Sequence, residues 1–249
     1  MQFLGVDLGW HGKPTGVARL ASGTQGLRLA AVERLASAQE VLAWIDRTVA
    51  DGDAVVAVDA PLVITNSAGL READREISRK FGRYHACCNS ANLSRPFAEL
   101  TTGFSRDLEN RGYVHRPEAD PQCAGRYQIE VYPHPAIVNL LDLELIIRYK
   151  KGRVGARIVE LNRYRQLMLD RLPFLSPALE IDELPEVPSH GGDDLKATED
   201  MLDAILAAYV GAHWWHWGLE RNGLYGRTGE GIIVVPIRFP HQPSPRSKG

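Results

Sequence analysis

Cysteine is scarce: the 249 residues include 3, and two of them, Cys87 and Cys88, are adjacent. Such a set builds no disulfide framework, so a reducing, cytoplasmic setting is the expectation. Long apolar runs are missing as well. No stretch approaches the roughly 20 residues of a membrane span, and no membrane partner is expected. The chain enters a strand-like run at residues 3–6 with neither a basic leader nor a small-residue cleavage site, so no secretory signal is expected. An excess of one charge is also lacking: 29 Lys and Arg against 31 Asp and Glu leave a formal −2. That excludes a wholesale basic coat protein for nucleic acid but leaves room for one basic face. There is no repeat of fixed period. Nor is there a paired Cys-x-x-Cys, or a Ser-His-Asp or Cys-His arrangement of the kind covalent catalysis uses.

What is present is an ordinary globular composition, 44% apolar and 24% charged, which excludes disorder, collagen and coiled coil. Residues 2–8, 15–21 and 26–35 read as three short strands with turn residues between them, an antiparallel meander. Residues 38–50 place Val41, Leu42, Ile45 and Val49 at helical spacing behind a Ser37 cap. A continuous apolar, β-branched run at 54–62, broken by Pro61, predicts a strand buried on both faces. Strand character then disappears until residue 126, with helix-like stretches near 69–82 and 94–110. This reads as a mainly helical insertion after the fourth strand. A strand at 127–133, helices at 156–172 and 195–217, and a last strand at 232–236 complete the order. The expectation is a single mixed α/β domain over 1–239 with a disordered Pro-rich tail at 240–249.

Four acids each close or sit within an element expected to be buried. Asp7 ends the first strand, Asp59 the strand after the first helix and Glu130 the next one, while Asp203 lies inside an Ala-rich helix. Ionised carboxylates are expensive to bury without a cation or donor, and strand ends of α/β sheets are where ligand crevices form. Asp200 and Asp203 are three apart and share a helix face. Converging oxygens of this kind suit Mg²⁺ or Mn²⁺. Against this, an Asp at a strand end commonly serves only as a turn or cap former.

The segment containing Gly5, Asp7, Gly9, Thr15 and Gly16 resembles the opening hairpin of the RNase H-like superfamily, in its RuvC-type resolvases. Asp200, Asp203 and Ala204 resemble the closing helix of those resolvases. Nearly the whole chain is similar to an uncharacterised family described as predicted RNase H-like nucleases. The matching pieces are Val58-Asp59-x-Pro61, Arg71-x-x-Asp74-Arg75, Glu130-x-Tyr132-Pro133, Lys150-Lys151-Gly152, the Asp-Ala helix, and Gly229 and Gly231 before the last strand. Here His134 follows the proline, where the commoner form carries an acid. The resemblance implies an α/β, RNase H-like domain with a mixed five-stranded sheet and flanking helices. It also implies a divalent-metal-dependent nuclease holding two Mg²⁺ or Mn²⁺ ions. Asp7, Asp59 and Asp203 would be catalytic ligands, with Glu130 a further one and Asp200 beside them.

Charge is unevenly spread. Residues 146–166 carry seven Lys and Arg against one Glu, and residues 180–203 carry nine acids against Lys196. A basic stretch is often a solvated helix face. Flanking an acidic centre, it would instead follow a phosphate backbone, with Lys150, Lys151 and Arg71 as candidate substrate contacts and nucleic acid as the candidate partner. His85, Cys87, Cys88 and Cys123 fit no usual zinc spacing and read better as core or loop packing. Trp214, Trp215 and Trp217 can stack bases, though closing the core is the simpler role. His190, before Gly191 and Gly192, is a candidate proton shuttle of low specificity. Two alternatives stand beside the nuclease: a non-catalytic module that binds nucleic acid or protein, and an actin- or sugar-kinase-like phosphotransferase. The second needs two Asp-x-Gly hairpin domains, and this chain has one such hairpin.

Overall fold

The computed structural model describes residues 1–23 and 26–238, so the tail expected at 240–249 lies outside the described residues. In chain order the elements are β1 (Gln2–Asp7), β2 (Thr15–Ser22), β3 (Leu27–Leu35), α1 (Ala38–Val49), β4 (Ala54–Val58), α2 (Glu72–Phe81) and α3 (Ala98–Glu109). There follow β5 (Val114–His115), β6 (Arg126–Val131), α4 (Pro133–Leu140), α5 (Val154–Arg171), β7 (Leu179–Glu180), α6 (Asp193–Trp217), β8 (Asn222–Arg227) and β9 (Gly231–Pro236).

The strands form one mixed sheet in the order β7-β3-β2-β1-β4-β6-β9-β8, with β5 also paired to β6. Among the described residues it has nine strands, which corrects the expectation of five. The additions have physical reasons. β5 and β7 are two residues long and too short to show a period. β8, with the sequence NGLYGR, carries Asn and two Gly, which are poor strand formers. It is held by antiparallel pairing along its whole length to β9. At the centre, β1 runs parallel to β4 and β4 parallel to β6, while β2 runs against both β1 and β3.

Helix starts follow the local chemistry. Ser37 caps α1 by accepting from the Glu40 N–H. α4 begins at Pro133, where a proline removes no intrahelical bond. Among the described residues no helix is long and apolar enough to cross a membrane.

Two apolar layers sandwich the sheet. Leu4 and Val6 of β1, with Val56 and Val58 of β4, pack against Val41 and Ile45 of α1 and Phe104 and Leu108 of α3. Phe3, Val55, Ala57 and Ile129 point the other way, onto α6. Strand alternation therefore sends Gly5 and Asp7 to the α6 side of β1. The glycines explain how closely α6 lies. A Cβ on Gly5 would stand 1.9 Å from the Ala204 carbonyl oxygen and 2.4 Å from the Ala208 nitrogen; one on Gly16 would stand 2.1 Å from the Asp200 carbonyl oxygen. Only hydrogen fits at these two positions. The helix backbone thus rests on β1 and β2, and its acids hang over the strand ends.

Candidate active site

β1 and β4 pair in parallel with Val6 opposite Val58, and the Asp59 N–H donates to the Val6 carbonyl at 2.8 Å. Asp7 and Asp59 consequently end neighbouring strands at the same level. Alternation directs both to the α6 face, where Asp203 is wholly buried. The structure brings these three together. Asp7 and Asp59 are half-buried. Among the described residues, neither side chain has a hydrogen-bond or ion-pair partner.

Asp203 is different. The Tyr149 hydroxyl donates to its Oδ1 at 2.7 Å, and the Lys150 Nζ lies 2.7 Å from its Oδ2. Burial pushes the Asp7 carboxyl well above the usual carboxylate range. Lys150 opposes this, while Asp203, Asp59 and Asp200 add to it. Asp59 is pushed up to about 7, chiefly by burial, against the pull of Lys150 and with help from Asp203 and Glu130. Burial alone would lower Lys150, but the charges of Asp203, Asp7 and Asp59 prevail and hold it firmly protonated. Burial and the Asp203 carboxylate likewise raise Tyr149, which stays a donor.

Glu130 stands apart. Its register partner is Val58, not Asp59. Alternation therefore turns it to the opposite face from the three aspartates. There Arg71 grips it with two bonds of 2.6 and 2.9 Å, and the Leu62 N–H donates to it at 3.0 Å. Arg71 is itself buried and spends its remaining donors on Asp74 and the Val63 carbonyl. It has no N–H left to offer a substrate. Asp200, next to Asp203 on α6, is paired with Arg34 at 3.0 Å and Lys196 at 2.6 Å. Lys151 is exposed beside Lys150.

Other sequence candidates fall elsewhere. Cys87, Cys88 and Cys123 are free thiols. Cys88 packs with the α2 cluster, whereas Cys123 packs on the α6 side of the sheet. The tryptophan indoles donate to the Pro117, Cys123 and Ser176 carbonyls, a packing role for all three. His190 is exposed and meets Asp194 at 3.1 Å. His134 is held to about 4 by burial and by Lys150, with its ring between Tyr132 and Tyr149. Sequence reading missed Tyr149, Arg34 and Lys196. The first adjoins Lys150, and Arg34 faces Gly16 in the β2–β3 register; these positions were the available signals.

Among the described residues no group of three or more His, Cys, Asp or Glu is disposed to hold a metal ion. At Asp203 the two oxygens already meet Tyr149 and Lys150. The donor type is nonetheless one that a hard divalent cation takes: the Asp7, Asp59 and Asp203 carboxylates act on one another electrostatically, and the first two are disfavoured as bare anions.

The chain belongs to the family described as "Protein of unknown function (DUF429)", whose model matches residues 5–221. Among solved structures it is similar to the Thermus thermophilus RuvC structure, at 14% identity and a TM-score of 0.30, over 85% of this chain and 97% of that one. So loose a likeness carries no weight for function. No curated protein matches it.

Proposed function

We propose that this chain is an RNase H-like domain that hydrolyses phosphodiester bonds of nucleic acid with a divalent cation, Mg²⁺ or Mn²⁺, at the site formed by Asp7, Asp59 and Asp203. The observation that carries the reading is the pair of partnerless carboxylates, Asp7 and Asp59, on adjacent strand ends beneath Asp203. The five central strands, β3-β2-β1-β4-β6 with β2 alone reversed, support the fold reading.

Asp7, Asp59 and Asp203 would hold the cation. A bound divalent ion supplies Lewis-acid polarisation of phosphate and a nucleophilic water near neutral pH. The chain's own residues prepare the site. The Asp59 N–H to Val6 bond fixes the two strand ends, so the carboxylates cannot separate to relieve their repulsion. Tyr149 sets the rotamer of Asp203. Lys150 brings a positive charge to the acids, and its chain neighbours Arg148, Lys151 and Arg153 are exposed. Water attack on phosphorus with departure of the leaving oxygen needs no covalent intermediate.

The test is a cleavage screen with Mg²⁺ or Mn²⁺ over single- and double-stranded DNA, RNA, a branched junction and a small phosphodiester. Asp7→Asn serves as the control. Cleavage lost in the variant and in chelator is expected; equal cleavage by the variant refutes the reading. A second reading, a non-catalytic binding module, is favoured by the ion pairs that already neutralise Asp203, Asp200 and Glu130. Metal-independent nucleic-acid binding without cleavage would select it.

A further inference from the structure

Lys150 is not placed as a surface lysine. Its ammonium lies 2.7 Å from a wholly buried carboxylate, and its side chain is 29% exposed. The segment carrying it is anchored from behind, because the Arg157 Nε donates to the Tyr149 carbonyl at 3.1 Å while Arg157 also pairs with Glu199 at 3.2 Å. Gly152, at φ +114, turns the chain immediately afterwards, a conformation that other residues rarely adopt. The tether therefore presents this ammonium, rather than that of Lys151, to the acids.

Asp7, Asp59 and Asp203 bring three negative charges to one place when ionised, and Lys150 brings one positive charge. Two negative charges remain, which one divalent ion balances. A second ion would have to bind Asp203 where the lysine already sits, with Tyr149 on the other oxygen.

We infer that Lys150 serves as a built-in cation that fills the second-ion position at Asp203, so that the site takes one divalent ion per chain, held chiefly by Asp7 and Asp59. This rests on the divalent-cation reading, but it changes the count that the family resemblance implied. It makes Lys150 a positioning residue for the acids.

The experiment is a Mn²⁺ titration of the intact protein, followed by calorimetry and by the electron-spin signal of free Mn²⁺. Wild type is expected to bind one ion. Lys150→Met, which keeps an unbranched side chain one atom shorter but not the charge, is expected to bind a second ion or to bind the first at least tenfold more tightly. Lys150→Arg retains the charge and should keep a count of one. Circular dichroism and thermal melts confirm that each variant is folded. Two ions on wild type overturn the inference while leaving the divalent-cation reading intact. An unchanged count and affinity in folded Lys150→Met does the same. No ion on any of the three proteins up to millimolar Mn²⁺ removes the cation reading itself, and this inference with it.

Discussion

Gly5→Ala tests whether the seating of α6 on β1 positions the site. The added Cβ would meet the Ala204 carbonyl oxygen at 1.9 Å and the Ala208 nitrogen at 2.4 Å. Both are helix backbone atoms, so no side-chain rotamer can absorb the clash. Restoring ordinary contact at about 3.4 Å requires α6 to lift by roughly 1.5 Å, which carries Asp203 away from Asp7. Overpacking a dense core typically destabilises by 1–3 kcal/mol, and two backbone contacts this short belong at the upper end, about 3 kcal/mol. In a chain of this length each kcal/mol lowers Tm by about 2–4 °C, so a drop of about 6–12 °C is expected. Urea unfolding followed by circular dichroism supplies the free energy independently. Gly155→Ala is the matched control: it lies in α5, has open space around it, and should stabilise by up to about 1 kcal/mol. A Gly5→Ala protein melting within about 2 °C of wild type would refute the close-seating argument.

The remaining expectations concern the scaffold around the site. Arg71→Met strands Glu130 and Asp74 without their cation in a buried setting, and a loss of about 3–5 kcal/mol is expected in urea unfolding. Glu130→Gln should weaken the fold while leaving Mn²⁺ affinity within about twofold, since Glu130 faces away from the aspartates; loss of ion binding would show that face assignment to be wrong. His213 is lowered from 6.5 to about 4 by burial, against the opposing bond to Asn222. Neutral in the fold, it contributes stability that is complete above pH 6.5 and lost as pH falls toward 4. His213→Gln should therefore flatten the wild-type decline over that window, and parallel pH–Tm curves would contradict the assignment.

Much of this arrangement can be read in the sequence because it is local. Asp7 and Asp59 terminate apolar runs, and the Asp-x-x-Asp spacing on an Ala-rich helix puts Asp203 on a packed face. Glu130 shows where such reading stops. Its own strand looks like the other two, but β6 pairs in a register that matches it with Val58, one residue short of Asp59. A single step of strand alternation then moves it to the other face. The partners of the acids are harder still. Lys150, Tyr149 and Arg34 reach Asp203 and Asp200 across more than fifty residues, and no periodicity encodes that meeting. At Pro133 the proline that ends the strand also opens α4, because the same residue suits both roles.

Three of the seven cations in the basic stretch at 146–166 are engaged inside the molecule. Lys150 goes to Asp203, Arg157 to Glu199 and the Tyr149 carbonyl, and Arg165 to the Leu184 and Pro185 carbonyls. Its exposed cations are Arg148, Lys151, Arg153 and Arg163. Nucleic acid engaging this face would release few counterions. Its binding constant should fall with salt no more steeply than a log–log slope of about −4, a gentle dependence beside that of proteins gripping many phosphates. Contact there would be shallow and quickly reversed, the opposite of a surface that coats a strand.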